Sequence, residues 1–350
     1  MKQILKLLML LGIITVINSC KKSNQIVEAK NIYIAGSESK GNVAVATYWK
    51  NGVATHLTDG TKGAIAYSIN VSGNDVYVGG IEQDVPSGNA IIKYWKNGMP
   101  TTLSMGPLAE FGSMTVVGND VYVCGNEINN TKHIAKYWKN GVETKLTNGT
   151  NHAKAYAIAV SGNDVYVVGS DGVSGATLWK NGTAINLTGL LVYPLSIAVV
   201  GNEIYVGGEQ LNGNNKHVAV YWKNGQVIPL SHGTRDARLR SIVVDNNGVV
   251  HATGHESDPV SVPVPKYGVG KYWNSNGTSV NLSNAVDWNW VNPYAIAVYG
   301  NDVFIAGYEA DGINGYNYTI AKFWKNGVVT DIGNKTSGIV SIGRGIFVTE

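Results

Sequence analysis

From residue 31 onward the chain is written in short runs that alternate apolar and polar residues, broken by glycine-containing turns. The clearest are SINVSGNDVYVGG (Ser68 to Gly80), AIAVSGNDVYVVG (Ala157 to Gly169) and AIAVYGNDVFIAG (Ala295 to Gly307). Each reads as a strand, a Gly-Asn-Asp turn and a second strand, because a period of two sends successive side chains to opposite faces of a sheet. A different pattern follows. YWKNG stands at Tyr48, Tyr94, Tyr137 and Tyr221, with an apolar run on either side. Asn-Gly is the two-residue hairpin signal, since both turn residues need positive φ and the resulting twist suits the flanking strands.

Each unit therefore contains four strands: A (such as Tyr156 to Val160), B (Asp164 to Val168), C (Ala135 to Lys139) and D (Val142 to Leu146). The strand-C tryptophan counts the units: Trp49, Trp95, Trp138, Trp179, Trp222, Trp273 and Trp324, in steps of 46, 43, 41, 43, 51 and 51 residues. A leucine or isoleucine follows eight residues after six of them, and Leu282 follows nine after Trp273, where Asn274-Ser275-Asn276-Gly277 lengthens the turn. Four strands per period of about 40 to 50 residues is the signature of a β-propeller. The expectation is an all-β, seven-bladed β-propeller of four-stranded antiparallel blades.

The ends imply how the ring closes. Asn31 to Ala35 is a strand B with no strand A before it, and Gly338 to Ile342 is a strand A with no C or D after it, so the C-terminal strand completes the first blade. Ile346 to Thr349 also reads as a strand B, and the pattern leaves open which of the two segments pairs. The repeats resemble WD-repeat and kelch propellers in period only, because the Gly-His, Trp-Asp and kelch glycine signatures are absent. They are more similar to bacterial lipoproteins built from YWKNG-type repeats, a likeness over about residues 31 to 350 that implies no particular activity.

The first residues are different. Lys2 and Lys6 precede an apolar run from Leu7 to Ile17, followed by Asn18-Ser19-Cys20. That run is too short to cross a hydrocarbon core of ~30 Å as a helix and reads as an export signal. Its end resembles the lipobox of bacterial lipoproteins. The resemblance implies a signal peptide over residues 1–19, cleavage before Cys20, acylation of that cysteine with palmitate-type chains, and a tether over residues 20–30 leading to the propeller at 31–350. Lys21, where an aspartate marks inner-membrane retention in that family, implies the outer membrane of the cell envelope. Acyl chains contribute about 0.8 kcal/mol per buried CH₂, enough for several to anchor a domain.

Charge and cysteine content narrow the partners. Lys2 and Lys6 carry two of the three net positive charges, so the remaining chain is near neutrality, which gives no reason to expect nucleic acid. Cys124 is the one other cysteine, in VYVCG where sister units read VYVGG and VYVVG, and is expected in the core.

Repetition marks scaffold. Asp75 with Lys96, Asp120 with Lys139, Asp164 with Lys180, Glu203 with Lys223 and Asp302 with Lys325 are expected as cross-strand pairs between B and C, and both partners vanish together in unit six (Val249, Asn274). The seven strand-C tryptophans are expected in the core. A second series is less usual: five residues after the strand-B aromatic, or after His251, lie Glu38, Glu82, Glu127, Asp171, Glu256 and Glu309, with Glu209 four residues on in unit five. Such an acidic ring is neutralised by loop amides or by lysines such as Lys93 and Lys136, or else binds a cation or basic ligand.

Specific function is expected where the repeat breaks. Trp288 and Trp290, in NAVDWNWVNP, belong to no repeat position and are placed in the loop from D to A entering unit seven. Long aromatic B-to-C loops lie on the same face, with Tyr267 in HESDPVSVPVPKYGVG and Tyr316 and Tyr318 in YEADGINGYNYT. These aromatics beside Glu256 and Glu309 either pack within their own loops or suit a ligand: a glycan, whose C–H faces stack on rings, or a protein of the cell envelope. The segment His232 to Arg240 is the one basic cluster, either solvated or an anion site. Catalytic motifs are absent: no Gly-x-Ser-x-Gly, no Cys-x-x-Cys, no phosphate loop, and His251 and His255 fall on a strand and its loop, so no metal or other cofactor is expected. The expectation is a membrane-anchored binding or scaffold module. The alternative is a carbohydrate-active enzyme, a glycoside hydrolase or lyase, using acids of the same face.

Overall fold

A computed structural model of the chain describes residues 30–84, 89–106, 108–129, 131–173, 175–187, 193–257, 268–282, 289–311, 319–334 and 338–350. These residues form seven four-stranded antiparallel sheets set around a ring, a seven-bladed β-propeller. Blade 2 is typical: Ala64–Ser72 (A), Asp75–Asp84 (B), Asn89–Lys96 (C) and Met99–Gly106 (D). The A strands of the other blades, from blade 3 onward, are Glu110–Val117, Lys154–Ser161, Tyr193–Val200, Ala237–Val244 and Asn289–Tyr299. Blade 1 takes its strand A from the other end of the chain, Ser341–Thr349.

That last strand settles the closure. It lies against Asn31–Lys40, with Asn31 opposite Thr349 and Glu38 opposite Ser341, so Asn31–Lys40 is strand B and Ile346 to Thr349 is the far half of strand A. The two segments are partners, not rivals. Polar contacts pin the join: Asn31 Nδ2 donates to the Glu350 carbonyl at 2.8 Å, Tyr299 Oη donates to Glu350 Oε1 at 2.6 Å, and Lys30 Nζ sits 2.7 Å from Asp302.

The six two-residue Asn-Gly turns between C and D strands have the geometry their sequence demands. Asn51, Asn97, Asn140, Asn181, Asn224 and Asn326 have φ between 48 and 51°, and each following glycine is also positive. The side chain of the asparagine does more than tolerate that conformation. In blade 2 Asn97 Oδ1 accepts from the Val76 amide at 2.8 Å while Nδ2 donates to Asp75 at 2.7 Å, and Lys96 reaches the same carboxylate at 2.7 Å. The clamp recurs at Asp120, Asp164 and Asp302, and the Lys223–Glu203 pair stands at 2.7 Å. In blade 6 Ser275 Oγ accepts from the Val250 amide instead, at 3.1 Å.

The core is a set of seven clusters, each joining two blades. Trp138, for example, packs with Met114 and Val123 of its own blade and with Tyr77 and Ile92 of blade 2. Trp49 closes the ring against Ala306, Ala321 and Ile332 of blade 7. Six of these tryptophans are 1 % exposed and Trp222 is 8 % exposed, so each is a wedge between blades. Cys124 is fully buried beside Ser113, and burial pushes its thiol up to about 12. Among the described residues no helix is long and apolar enough to cross a membrane.

Candidate functional site

Each strand A carries a β-bulge where it pairs with strand B, at corresponding positions in all seven blades. The residue left unpaired is Arg344, Tyr67, Tyr156, Leu195, Arg240 or Tyr294 in six of them, and the irregularity spans Gly112 and Ser113 in blade 3. A bulge bends its strand and re-aims a side chain. It also drives a strand-A carbonyl against strand B, and there the chain always has glycine: Gly36 meets the Ile342 oxygen, Gly80 that of Ile65, Gly169 that of Lys154 and Gly254 that of Arg238. A Cβ at those points has no room.

The bulged residues line the central channel, a cavity of about 510 Å³ walled by all seven A strands. Cations and rings alternate around half of it. The Arg240 guanidinium lies 5.7 Å from the centre of the Tyr294 ring, and that of Arg344 lies 5.1 Å from both Tyr294 and Tyr67. Tyr67 stacks on Phe111 at 5.8 Å and Tyr294 on Tyr308 at 5.9 Å. Burial raises the phenols of Tyr67 and Tyr156 above their ordinary value, and burial with the neighbouring Tyr294 takes Tyr308 to about 12, so they remain hydroxyl donors. Among the described residues neither Arg240 nor Arg344 forms an ion pair with a carboxylate, and none accepts from the buried Nε of Arg344.

The acids of the loop face are arranged differently. Glu82 meets Lys93 at 2.9 Å, Glu256 meets Lys271 at 3.2 Å, and Glu127 and Glu309 meet Lys136 and Lys322. Each of these lysines stands two residues before its blade's strand-C tryptophan, hence on the same side of the strand as that tryptophan. Lys136 and Lys322 each take a second carboxylate, Glu143 at 2.9 Å and Asp331 at 3.2 Å. Burial presses on the Lys136 ammonium, but Glu127 and Glu143 more than offset it and hold its pKa above the usual lysine value. Blades 1 and 4 have threonine at the lysine position. There Glu38 pairs with His56 at 3.0 Å and accepts from the Asn334 amide, and Asp171 accepts from the Val173 amide at 2.9 Å.

Glu209 stands apart from the series. It lies opposite Ala219, three residues before Trp222, whereas Glu82 lies opposite Ile91, four before Trp95; Gln210 holds the equivalent place in blade 5. One step along a strand reverses the face. Glu209 is 3 % exposed, flanked by His217 at 3.5 Å and Arg238 at 3.8 Å, and burial raises its pKa.

Of the expected aromatic cluster, Trp290 is half-buried within strand A of blade 7, opposite Ala310, and so belongs to a strand and not to the loop before it. Trp288, Tyr267, Tyr316, Tyr318 and Cys20 lie outside the described residues. His251 contacts Tyr272 at 2.8 Å and Asp245 at 3.4 Å. His255 sits opposite Arg238 across the strands, and burial together with Arg240 and Arg238 holds its imidazole down at about 4. Among the described residues no three His, Cys, Asp or Glu side chains converge as a metal site.

The channel residues carry a sequence signal that a search for repeated positions passes over. Each directly precedes a small residue and a branched or long apolar one: YSI at Tyr67, YAI at Tyr156 and Tyr294, LSI at Leu195, RSI at Arg240, RGI at Arg344. The frame repeats while the leading residue varies, which is how a shared scaffold presents a particular lining.

No family model matches the chain, and no curated protein does. Solved structures share the fold. An acylaminoacyl peptidase in complex with a chloromethyl ketone aligns over 88% of this chain and 51% of its own, at 11% identity and a TM-score of 0.54. The Pyrococcus horikoshii acylaminoacyl peptidase aligns over 81% of this chain and 49% of its own, at 12% identity and a TM-score of 0.45. The chain thus spans about half the length of these peptidases. An ulvan lyase, a polysaccharide lyase, aligns over 91% of this chain and 97% of its own, at 10% identity and a TM-score of 0.47.

Proposed function

We propose that the chain is a binding module of the cell envelope: exported, held on the outer membrane by acyl groups on Cys20, and taking a glycan or an envelope protein on the face where A strands begin and B strands end. The observation that carries this reading is the pairing of Glu82, Glu127, Glu256 and Glu309 with lysines of their own blades. A hydrolase or lyase on this face would need carboxylates free to trade protons with a substrate. Here Glu256 and Glu309, the acids nearest the irregular loops, are each engaged by an ammonium. Binding asks less of the site: rings to stack on and hydrogen-bonding groups nearby, which Trp288, Trp290, Tyr267, Tyr316 and Tyr318 supply in sequence.

The test is capture of glycans and envelope extracts by the full chain in detergent, with Trp288→Ala combined with Trp290→Ala as the comparison. Retention in the wild type and loss in the double variant, without turnover of the captured polysaccharide, supports the module. Turnover abolished by Glu256→Gln or Glu309→Gln would establish the enzyme instead. Membrane attachment is tested by Cys20→Ala, which releases the protein from the membrane fraction and removes acyl labelling.

A further inference from the structure

We propose that the central channel is a binding site for an oxyanion-bearing ligand the size of one or two sugar rings, held by Arg240 and Arg344. The inference extends the binding role above to a second place on the molecule. Trp290 stands four residues before Tyr294 on the same strand, about 13 Å away at ~3.3 Å per residue, so the channel site does not depend on the aromatic face.

Three observations converge. Two guanidiniums from blades 6 and 1 flank the Tyr294 ring of blade 7 in one cavity, and no carboxylate of the described residues pairs with either. Arg240 does act on one acid, Glu209, through its charge, but Glu209 is buried and already contacted by His217 and Arg238. Like charges gathered in a partly desolvated space repel one another, and an anion between them relieves that repulsion.

The donors are also unspent. A ring contact engages the charge of a guanidinium but none of its N–H groups, and no group of the described residues accepts from the Arg344 Nε. Contacts with both Tyr67 and Tyr294 hold the Arg344 guanidinium between two rings, and a guanidinium is the fork that takes a carboxylate, sulfate or phosphate group through two parallel bonds. Around it Tyr67, Tyr156, Phe111 and Ser241 offer rings and hydroxyls suited to the body of a sugar. About 510 Å³ lies within the range of small-ligand pockets.

Calorimetry on the full chain in detergent tests the site, with D-glucuronate, inorganic sulfate and inorganic phosphate as probes and D-glucose as the neutral control. The expected result is saturable 1:1 binding of at least one oxyanion and none of glucose. Affinity should fall at least tenfold in Arg240→Gln and in Arg344→Gln, and less in Arg344→Lys, which keeps charge but loses the fork. Near-ultraviolet circular dichroism checks that each variant keeps its aromatic packing. If Arg344→Gln does not fold, Arg240→Gln, which leaves the contacts of Arg344 with Tyr67 and Tyr294 in place, carries the test. Absence of saturation by all three oxyanions, equal binding of glucose, or unchanged affinity in the folded variants would overturn the proposal. Those outcomes leave capture by the aromatic face standing, and loss of that capture leaves the oxyanion result untouched.

Discussion

The carbonyl oxygen of Lys154 occupies the space that a Cβ on Gly169 would need. Tyr156, two residues beyond Lys154, is the residue bulged out of the ladder and turned to the channel. The glycine and the bulge are therefore one device: without the missing Cβ the strand cannot bend there. Gly169→Ala should cost about 2 to 3 kcal/mol, the upper part of the usual range of about 1 to 3 kcal/mol for overpacking, because the atom it meets is backbone. Gly106→Ala, where nothing lies within 4 Å, is the control and should stay within about 0.5 kcal/mol of wild type. Equal urea midpoints for the two variants would show that the backbone accommodates the clash cheaply.

Lys136 is buried between Glu127 and Glu143 of the same blade. Replacing it by methionine keeps the stem that packs beside Trp138 but strands two carboxylates together. Removing one partner of a buried pair costs about 3 to 5 kcal/mol, and the half-exposed carboxylates reduce that to roughly 2 kcal/mol. Restoring neutrality with Glu127→Gln and Glu143→Gln in the Lys136→Met background should recover most of the loss. Urea denaturation of the single and triple variants measures it; no recovery would mean that the lysine stem, and not its charge, holds the blade.

How far the sequence foretells this molecule depends on what a repeat can encode. Asn97, Trp95 and Lys96 act within one hairpin or against one neighbouring blade, so their spacing predicts their roles, and the turns, wedges and strand-B pairs stand where the pattern places them. Closure is legible for the same reason, except that the bulge at Arg344 interrupts the alternation and makes one strand look like two. That interruption also hides the channel. Alternation assigns Tyr67 and Ser68 to opposite faces, but the extra residue breaks the count, and only a ladder with its register shift shows which side chain turns inward. Glu209 misleads in the opposite sense: an acid within one residue of the expected spacing joins a series by eye, although that single step sends it to the far face.

Cys124 is fully buried, with its thiol pushed up to about 12 by burial. Thiolate is the reactive form, so at neutral pH almost none is present and reagent has no path to it. In the Cys20→Ala chain, which leaves this as the single thiol, 5,5′-dithiobis(2-nitrobenzoate) should release no colour from native protein over hours and one equivalent after urea is added. A fast native reaction would place Cys124 outside the packed interface between blades 3 and 4.

His255 makes the stability of the fold depend on pH. Burial and the nearby Arg240 and Arg238 hold its folded-state value at about 4, whereas an unfolded chain titrates it near 6.5. Between those values the unfolded state binds a proton that the folded state refuses, so stability is complete above about pH 6.5, declines as pH falls, and reaches its floor below about pH 4. The decline approaches roughly 1 kcal/mol per pH unit in the middle of that window. Glu209 works against it, because burial raises its pKa and its contribution is lost as pH rises. Subtracting a His255→Gln variant from wild type at each pH removes the Glu209 part and leaves the histidine alone. Urea midpoints at pH 4.5, 5.5 and 7 should show wild type losing stability against His255→Gln on acidification. A constant difference across the three would mean that the imidazole titrates alike in both states, and that Arg240 does not bear on it.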